Sequence, residues 1–314
     1  MLSANELQDQ NRSEIPAQTV TNTSIGNLLN KCIITGRPFT VPEFVALNEH
    51  YKVLASESLG VKNSRDFYLK YFGVGVRGSN CDGKDSNGVS KMKVNQHQPI
   101  DANLFTAIPF IARPQSEDLD NFNRNKYRMR TVEERNGIAY VFYWLKLINF
   151  DNYNPGEKMI TRDPATGLED SVPYIHTKDN LANPQPVPFT SNGSVPTSNT
   201  YVNSSAVLDC SLDKNDLREI SLACKIYYND ASYGSINEVG IAYGIDTENR
   251  GEIAGGGSIQ YTEVASAIFA HYITERDGRN ALTNVKVQQA FDHGASVPML
   301  LHTTATEMAS VQDN

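Results

Sequence analysis

The dipeptide Asn136-Gly137 lies between KYRMRTVEE and IAYVFYWLKLINF, and it constrains the fold of this chain more than any other feature. Both residues tolerate the positive φ of a type I′ turn, so the flanking segments are expected as two strands of a tight hairpin. The first segment alternates Tyr127, Met129 and Thr131 with Arg128 and Arg130. The second is apolar on both faces over most of its length. That pattern predicts a central strand covered on both sides, for example by a second sheet and by a helical subdomain.

Composition points the same way. Hydrophobic residues make up 39% and charged residues 20% of the chain, and the balance is Asn, Ser, Thr, Gln and Tyr. Uncharged polar side chains compete with helical backbone hydrogen bonds, which favours strands and long loops. At 314 residues the chain can hold one large domain or two ordinary ones, the second being the better fit.

Residues 1–24 read as an extended, polar N-terminal arm, and 25–75 as a small helical or mixed subdomain. In the latter, Ser24 can cap a helix carrying Ile25, Leu28, Leu29 and Cys32 that stops at Gly36 and Pro38. A second helix is expected after Thr40, with Phe44, Leu47, Tyr51 and Leu54 on one face. Residues 76–150 read as a long loop or loose hairpin leading into the Asn-Gly hairpin, and 151–200 as a long Pro- and Asn-rich loop.

From 201 to 314 strands are expected at VLDCSL, at 219–228 with Ile220, Leu222, Cys224 and Ile226 on one face, at 235–245, at 262–275 and at 282–291. Asp277-Gly278-Arg279 is expected as a turn, and the C-terminus as a polar tail. The fold class that follows is mainly β: an antiparallel β-sandwich with a small N-terminal helical subdomain and long extended arms and loops.

Several kinds of chemistry are set aside. The net charge of −8, with no basic tail, argues against a nucleic-acid backbone as the main partner. The N-terminus lacks a signal peptide's charged start and apolar run, and no apolar stretch reaches membrane-spanning length, so a chain made in a cytoplasm with no membrane partner is expected. Cys32, Cys81, Cys210 and Cys224 form no C-x-x-C pair and read as free thiols, with Cys210 and Cys224 able to face each other across neighbouring strands.

The Gly-rich segment 244–261 has neither the lysine nor the following helix of a phosphate cradle. It reads as a long hairpin connection whose Asp246, Glu248, Arg250 and Glu252 can pair across a subunit boundary. His50, His97, His176, His271, His293 and His302 show no zinc spacing, no G-x-S-x-G occurs, and Asp82, Asp85 and Asn87 miss the calcium-loop spacing. No enzyme, cofactor or metal is therefore expected. Arg124, Lys126, Arg128 and Arg130 stand at period-two spacing, which predicts one cationic face that meets solvent, an acidic partner or, least in keeping with the acidic chain, nucleic acid.

The segment FTAIPFIARPQSEDLDNFNRNKYRMRTVEERNGIAYVFYWLKLINF resembles a segment of structural proteins of contractile-tailed bacteriophages. The matching residues are Pro109, Phe110, Tyr127, Arg128, Arg130, Asn136, Gly137, Tyr140 and Tyr143. SINEVGIAYG followed by ASAIFAHYITERDGR looks like the terminal sheet of phage tail and neck proteins. The resemblance implies a non-enzymatic virion protein, made in the host cytoplasm, forming a symmetric homo-oligomeric ring or sleeve at the neck, collar, baseplate or tail. Its implied partners are identical subunits and portal, neck, sheath or baseplate components. The alternative is a carbohydrate- or receptor-binding module that stacks ligands on Tyr153, Tyr174 and Tyr201.

Overall fold

The computed structural model describes residues 18–178 apart from 85, 89 and 152, together with 197–252, 258–280 and 290–300. These residues form a mainly β protein built from antiparallel sheets. They fall into two compact units, one within Met1–Ile148 and Ser211–Gln288 and the other within Asn149–Cys210 and Gln289–Asn314.

The larger unit is organised around strands β14 (Ser235–Glu252) and β15 (Ser258–Asn280), which pair antiparallel from Ser235↔Asn280 to Glu252↔Ser258. Strand β4 (Tyr68–Gly75) pairs with β14, and β10 (Ile138–Leu147) continues from β4. Next come β8 (Ile111–Pro114) and β9 (Tyr127–Arg135), both paired with β10. The turn between β9 and β10 has φ of 54° at Asn136 and 76° at Gly137, which is the backbone that this dipeptide was expected to supply. Val141 to Leu145 of β10 are all buried, as a strand apolar on both faces requires.

On β15 the side chains alternate between two cores. Ile268 and Ala270 join Leu29, Phe39, Val41 and Phe67 on one face. Ala267 and Phe269 join Phe142, Trp144, Tyr71 and Ala223 on the other. The first core is covered by helix α1 (Ser24–Thr35) and the small β2–β3 pair, Phe39–Val41 with Gly60–Lys62. Thr23 rather than Ser24 caps α1: its Oγ1 accepts from Gly26 N–H at 3.0 Å and donates to Phe269 C=O at 2.8 Å, tying the helix start to β15. Gly36, with φ of 64°, ends the helix as expected.

Several expectations are corrected. Residues 219–228 are not a strand: Lys214–Tyr227 form a helix, α5. Leu217, Ile220, Ser221 and Cys224 are buried at i, i+3, i+4 and i+7, while Leu222 is exposed. Asp213 and Asp216 cap α5 reciprocally, and its start at Asp213 is the signal that outweighs the β-branched content. Cys224 thus sits on a helix and Cys210 on no facing strand; both are free, and burial pushes each thiol up to about 12.

The second predicted helix is broken into α2 (Leu47–Tyr51) and α3 (Ala55–Ser58), because Phe44, Lys52 and Leu54 take left-handed φ of 66°, 58° and 48°. Part of the N-terminal arm, Gln18–Asn22, is strand β1 and pairs with His271–Glu275 of β15; residues 1–17 lie outside the described residues. Asp277-Gly278-Arg279 continues β15 instead of turning, since Ile236 and Ser235 pair with Arg279 and Asn280. The loose hairpin is present as β5 (Ser79–Lys84) and β6 (Ser90–Val94).

The smaller unit holds a four-stranded antiparallel sheet in the order β12 (Glu169–Pro173), β11 (Gly156–Arg162), β13 (Thr197–Asp209), β16 (Ala290–Leu300). Gly156–Arg162, Glu169–Pro173 and the start of β13 are therefore strand within the expected 151–200 loop; residues 179–196 lie outside the described residues.

Gly240 of β14 shows how tightly the large core closes. A Cβ at that position would stand 2.5 Å from the Phe269 ring. Gly240→Ala is expected to cost about 1–3 kcal/mol, seen as a lower denaturant midpoint at unchanged slope.

Candidate functional site

The cations expected on one face are divided between elements. Arg124 ends a short helix, α4 (Asn121–Arg124), and Met129 has φ of 59°, which interrupts the alternation of β9. The cause is Glu263 of β15: its carboxylate accepts from the N–H groups of Met129 at 2.7 Å, Arg130 at 3.1 Å and Val264 at 2.8 Å. Burial pushes the Glu263 carboxyl above its ordinary value, against the pull of those backbone donors.

Arg124 and Arg130 converge instead on Asp118, at 2.7 and 2.9 Å, where the Tyr143 hydroxyl also donates at 2.8 Å. Arg128 is buried and meets Asp246 at 3.1 Å; Lys70, at 2.7 Å, and the Tyr71 hydroxyl bind the same carboxylate. Arg124, Arg128, Arg130 and Asp246 therefore fasten the chain to itself, and no free cationic face is formed by them. Lys126 is exposed, with Nζ 5.2 Å above the Phe122 ring. Glu248 accepts from Gln260 at 2.6 Å and, with Asn249, Arg250 and Gln260, borders an open depression of about 500 Å³. The side chain of Glu252, like that of His293, lies outside the described residues.

A different constellation gathers a histidine and two acids among the described residues. His97 is buried, with Asp101 Oδ2 at 2.8 Å from Nδ1 and Glu238 Oε1 at 2.5 Å from Nε2. Phe105 and Tyr272 stack on its two faces, each with ring centroids 3.9 Å away. Both nitrogen contacts need a proton between N and O. Burial pushes the Glu238 carboxyl above its ordinary value, against the opposing bond from His97. The Phe105 backbone N–H donates to the same Glu238 oxygen at 2.9 Å, which ties the segment carrying the outer ring to that carboxylate. The same loop holds the N-terminal segment, as Ser24 N–H donates to Pro99 C=O at 2.7 Å.

Phe105 is 41% exposed and opens into a cleft of about 410 Å³. Tyr51 stacks on Trp144 at 4.9 Å along one wall, and Tyr227 meets Trp144 edge-on at 4.9 Å. Trp144 Nε1–H donates to Thr131 at 2.9 Å, which fixes the indole. Tyr228 is held by stacking on Tyr233 at 4.4 Å and by its hydroxyl donating to Ala107 C=O. Lys52, His50, Asn103 and Glu133 supply polar groups around the opening. Burial and then the Lys52 charge hold His50 below its ordinary value, which leaves it neutral at pH 7.

Sequence reading did not find this site. His97 and Asp101 are four residues apart, but Glu238 is 141 residues from His97, and no local spacing joins them. Tyr153, Tyr174 and Tyr201 have separate neighbours: Phe150 at 5.5 Å, His176 at 4.9 Å, and Glu169, which accepts from the Tyr201 hydroxyl at 2.9 Å. His176 itself meets Glu157 at 2.5 Å, and His271 contacts Asn22 at 2.8 Å. Among the described residues no cluster of three His, Cys, Asp or Glu side chains could hold a metal, and no helix is long and apolar enough to cross a membrane.

The profile of a family of unknown function, DUF7208, matches residues 9–308. The chain belongs to that family. The match runs across both structural units, so family membership covers the small sheet as well as the site in the large unit. No curated protein and no solved structure matches the chain.

Asp246 offers a direct test of the internal ion network. Burial alone would raise its carboxyl, but the bonds from Lys70 and Tyr71 and the Arg128 and Lys70 charges outweigh it, and the net shift is downward. A depressed carboxylate contributes stability above its unfolded value and loses it as pH falls through its folded value. Asp246→Asn, which leaves Arg128 buried without its countercharge, is expected to cost about 3 kcal/mol at pH 7. The gap from wild type should close as melts are repeated at pH below the carboxylate range.

Proposed function

We propose that the chain is a non-enzymatic virion structural protein of a tailed phage, assembled as a symmetric homo-oligomer at the neck, collar or tail. The observation that carries this reading is the small sheet. Its cross-strand register sets Val172 beside Met159, Met159 beside Val202, and Val202 beside Val297, an apolar row across all four strands. Val172 is 43% and Val297 61% exposed, and Met159 and Val202 are only partly covered. A sheet with an apolar face is stable when another layer covers it, and the small unit's described strands all belong to this one sheet.

A second copy suits this surface. The row itself carries no charge, and Glu157 and Asp170 flank it on the same face, so a two-fold contact would centre on the row. Pro173 on β12 and Pro298 on β16 blunt the two edges of the sheet, which directs association to the face. The segmental resemblance around Tyr127, Arg128, Asn136 and Gly137 supports a phage setting, where such subunits are covered by neighbours. Portal, sheath or baseplate components are the further partners that this reading implies.

A second reading, a carbohydrate- or receptor-binding module, is favoured by the aromatic cleft at Phe105 and Trp144 rather than by the exposed tyrosines of the small unit.

The assembly reading is tested by light scattering behind size exclusion. Wild type should elute as a multiple of 34.8 kDa, and Val297→Lys should return it to a folded species of 34.8 kDa. A wild type that stays at the monomer mass at every concentration and that is absent from virion particles sinks the proposal.

A further inference from the structure

The exposed face of Phe105 is the top of a rigid stack. His97 covers its inner face at 3.9 Å and Tyr272 lies beneath His97 at the same spacing, so the 41% of Phe105 that remains open is its outer face and edge. The stack cannot tilt freely, because Glu238 binds both His97 and the Phe105 N–H, and Asp101 binds the far side of the imidazole. A flat apolar platform is thus presented at the cleft, at a fixed angle and with little entropy left to lose on binding.

The groups around this platform select among ligand classes. A cation cage would need an open tyrosine face and a free carboxylate, but Arg135 already lies 4.5 Å over Tyr227 and binds Glu133 at 2.6 Å. What the cleft offers is an aromatic platform, the Tyr51–Trp144 pair as a second apolar wall, and a mixed set of donors and acceptors in Lys52, Asn103, Thr131 and Glu133. That combination fits a ring with an apolar face and hydroxyls around its rim.

The geometry points to a saccharide-binding site in this cleft, with one sugar ring stacked on Phe105 and its hydroxyls bound by Lys52, Asn103 and Glu133. The inference deepens the second reading above and is independent of assembly. Trp144 is the single tryptophan of the chain and lines the cleft, so its fluorescence reports occupancy.

The experiment titrates the full-length protein with glucose, galactose, mannose, N-acetylglucosamine and β-linked disaccharides of each, with choline and inorganic phosphate as controls. At least one sugar should change Trp144 emission saturably. Phe105→Ala and, separately, Glu133→Gln should each weaken that binding about tenfold, the effect of losing ~1.4 kcal/mol of contact. Glu133→Gln keeps the test open should Phe105→Ala fail to fold. Saturation by choline or phosphate alone, no response to any sugar, or unchanged affinity in folded variants would overturn the site. The light-scattering mass of both variants should match wild type, which separates failure here from failure of the assembly reading.

Discussion

The antiparallel ladder between β14 and β15 is the constraint on which the larger unit depends. It is apolar on both faces, so each face draws a separate layer onto it: α1 with β2 and β3 on one side, and α2, α5 and the aromatic side chains of β10 on the other. Such a strand pair cannot sit at a surface, and the elements that contribute to the two cores are placed by the need to cover it.

The same ladder carries the acids that fix those layers in register. Glu238, Asp246 and Glu263 leave the two strands at successive points, and each takes donors from segments distant in sequence. An acid that is partly or wholly removed from water must be matched, so each acts as an anchor with a defined set of partners. Glu238 positions the His97 loop, Asp246 ties β4 to β9, and Glu263 bends β9 at Met129. The cationic residues of β9 are consequently consumed within the fold, and the polar groups left for recognition lie around the cleft and along the hairpin.

What could be read from the sequence was local. Asn136-Gly137 specified its turn because both residues accept positive φ, and the double-sided apolarity of 141–145 specified a central strand. α1 was legible through its apolar spacing and Gly36. α5 was misread because Ile220, Leu222, Cys224 and Ile226 alternate, while the helical set Leu217, Ile220, Cys224 overlaps it; only the Asp213 and Asp216 cap separates the two. The left-handed Met129 was invisible, since the strain is imposed by Glu263 from another strand. The His97 column was invisible for the same reason: stacking and pairing across long separations leave no periodicity to detect.

The pairing of β1 with β15 sets a schedule for folding. Gln18 faces Glu275 and Asn22 faces His271, so one of the first described strands has no partner until nearly the last one has been synthesised. The small unit is inserted between β10 and α5, which lengthens that wait further. Contacts of such long range are slow to form, and β4 and β10 emerge from the ribosome with apolar faces uncovered in the meantime. The chain therefore matures late and as a whole, and a truncated product lacking β15 would keep the hairpin of β9 and β10 but have no core to close around it.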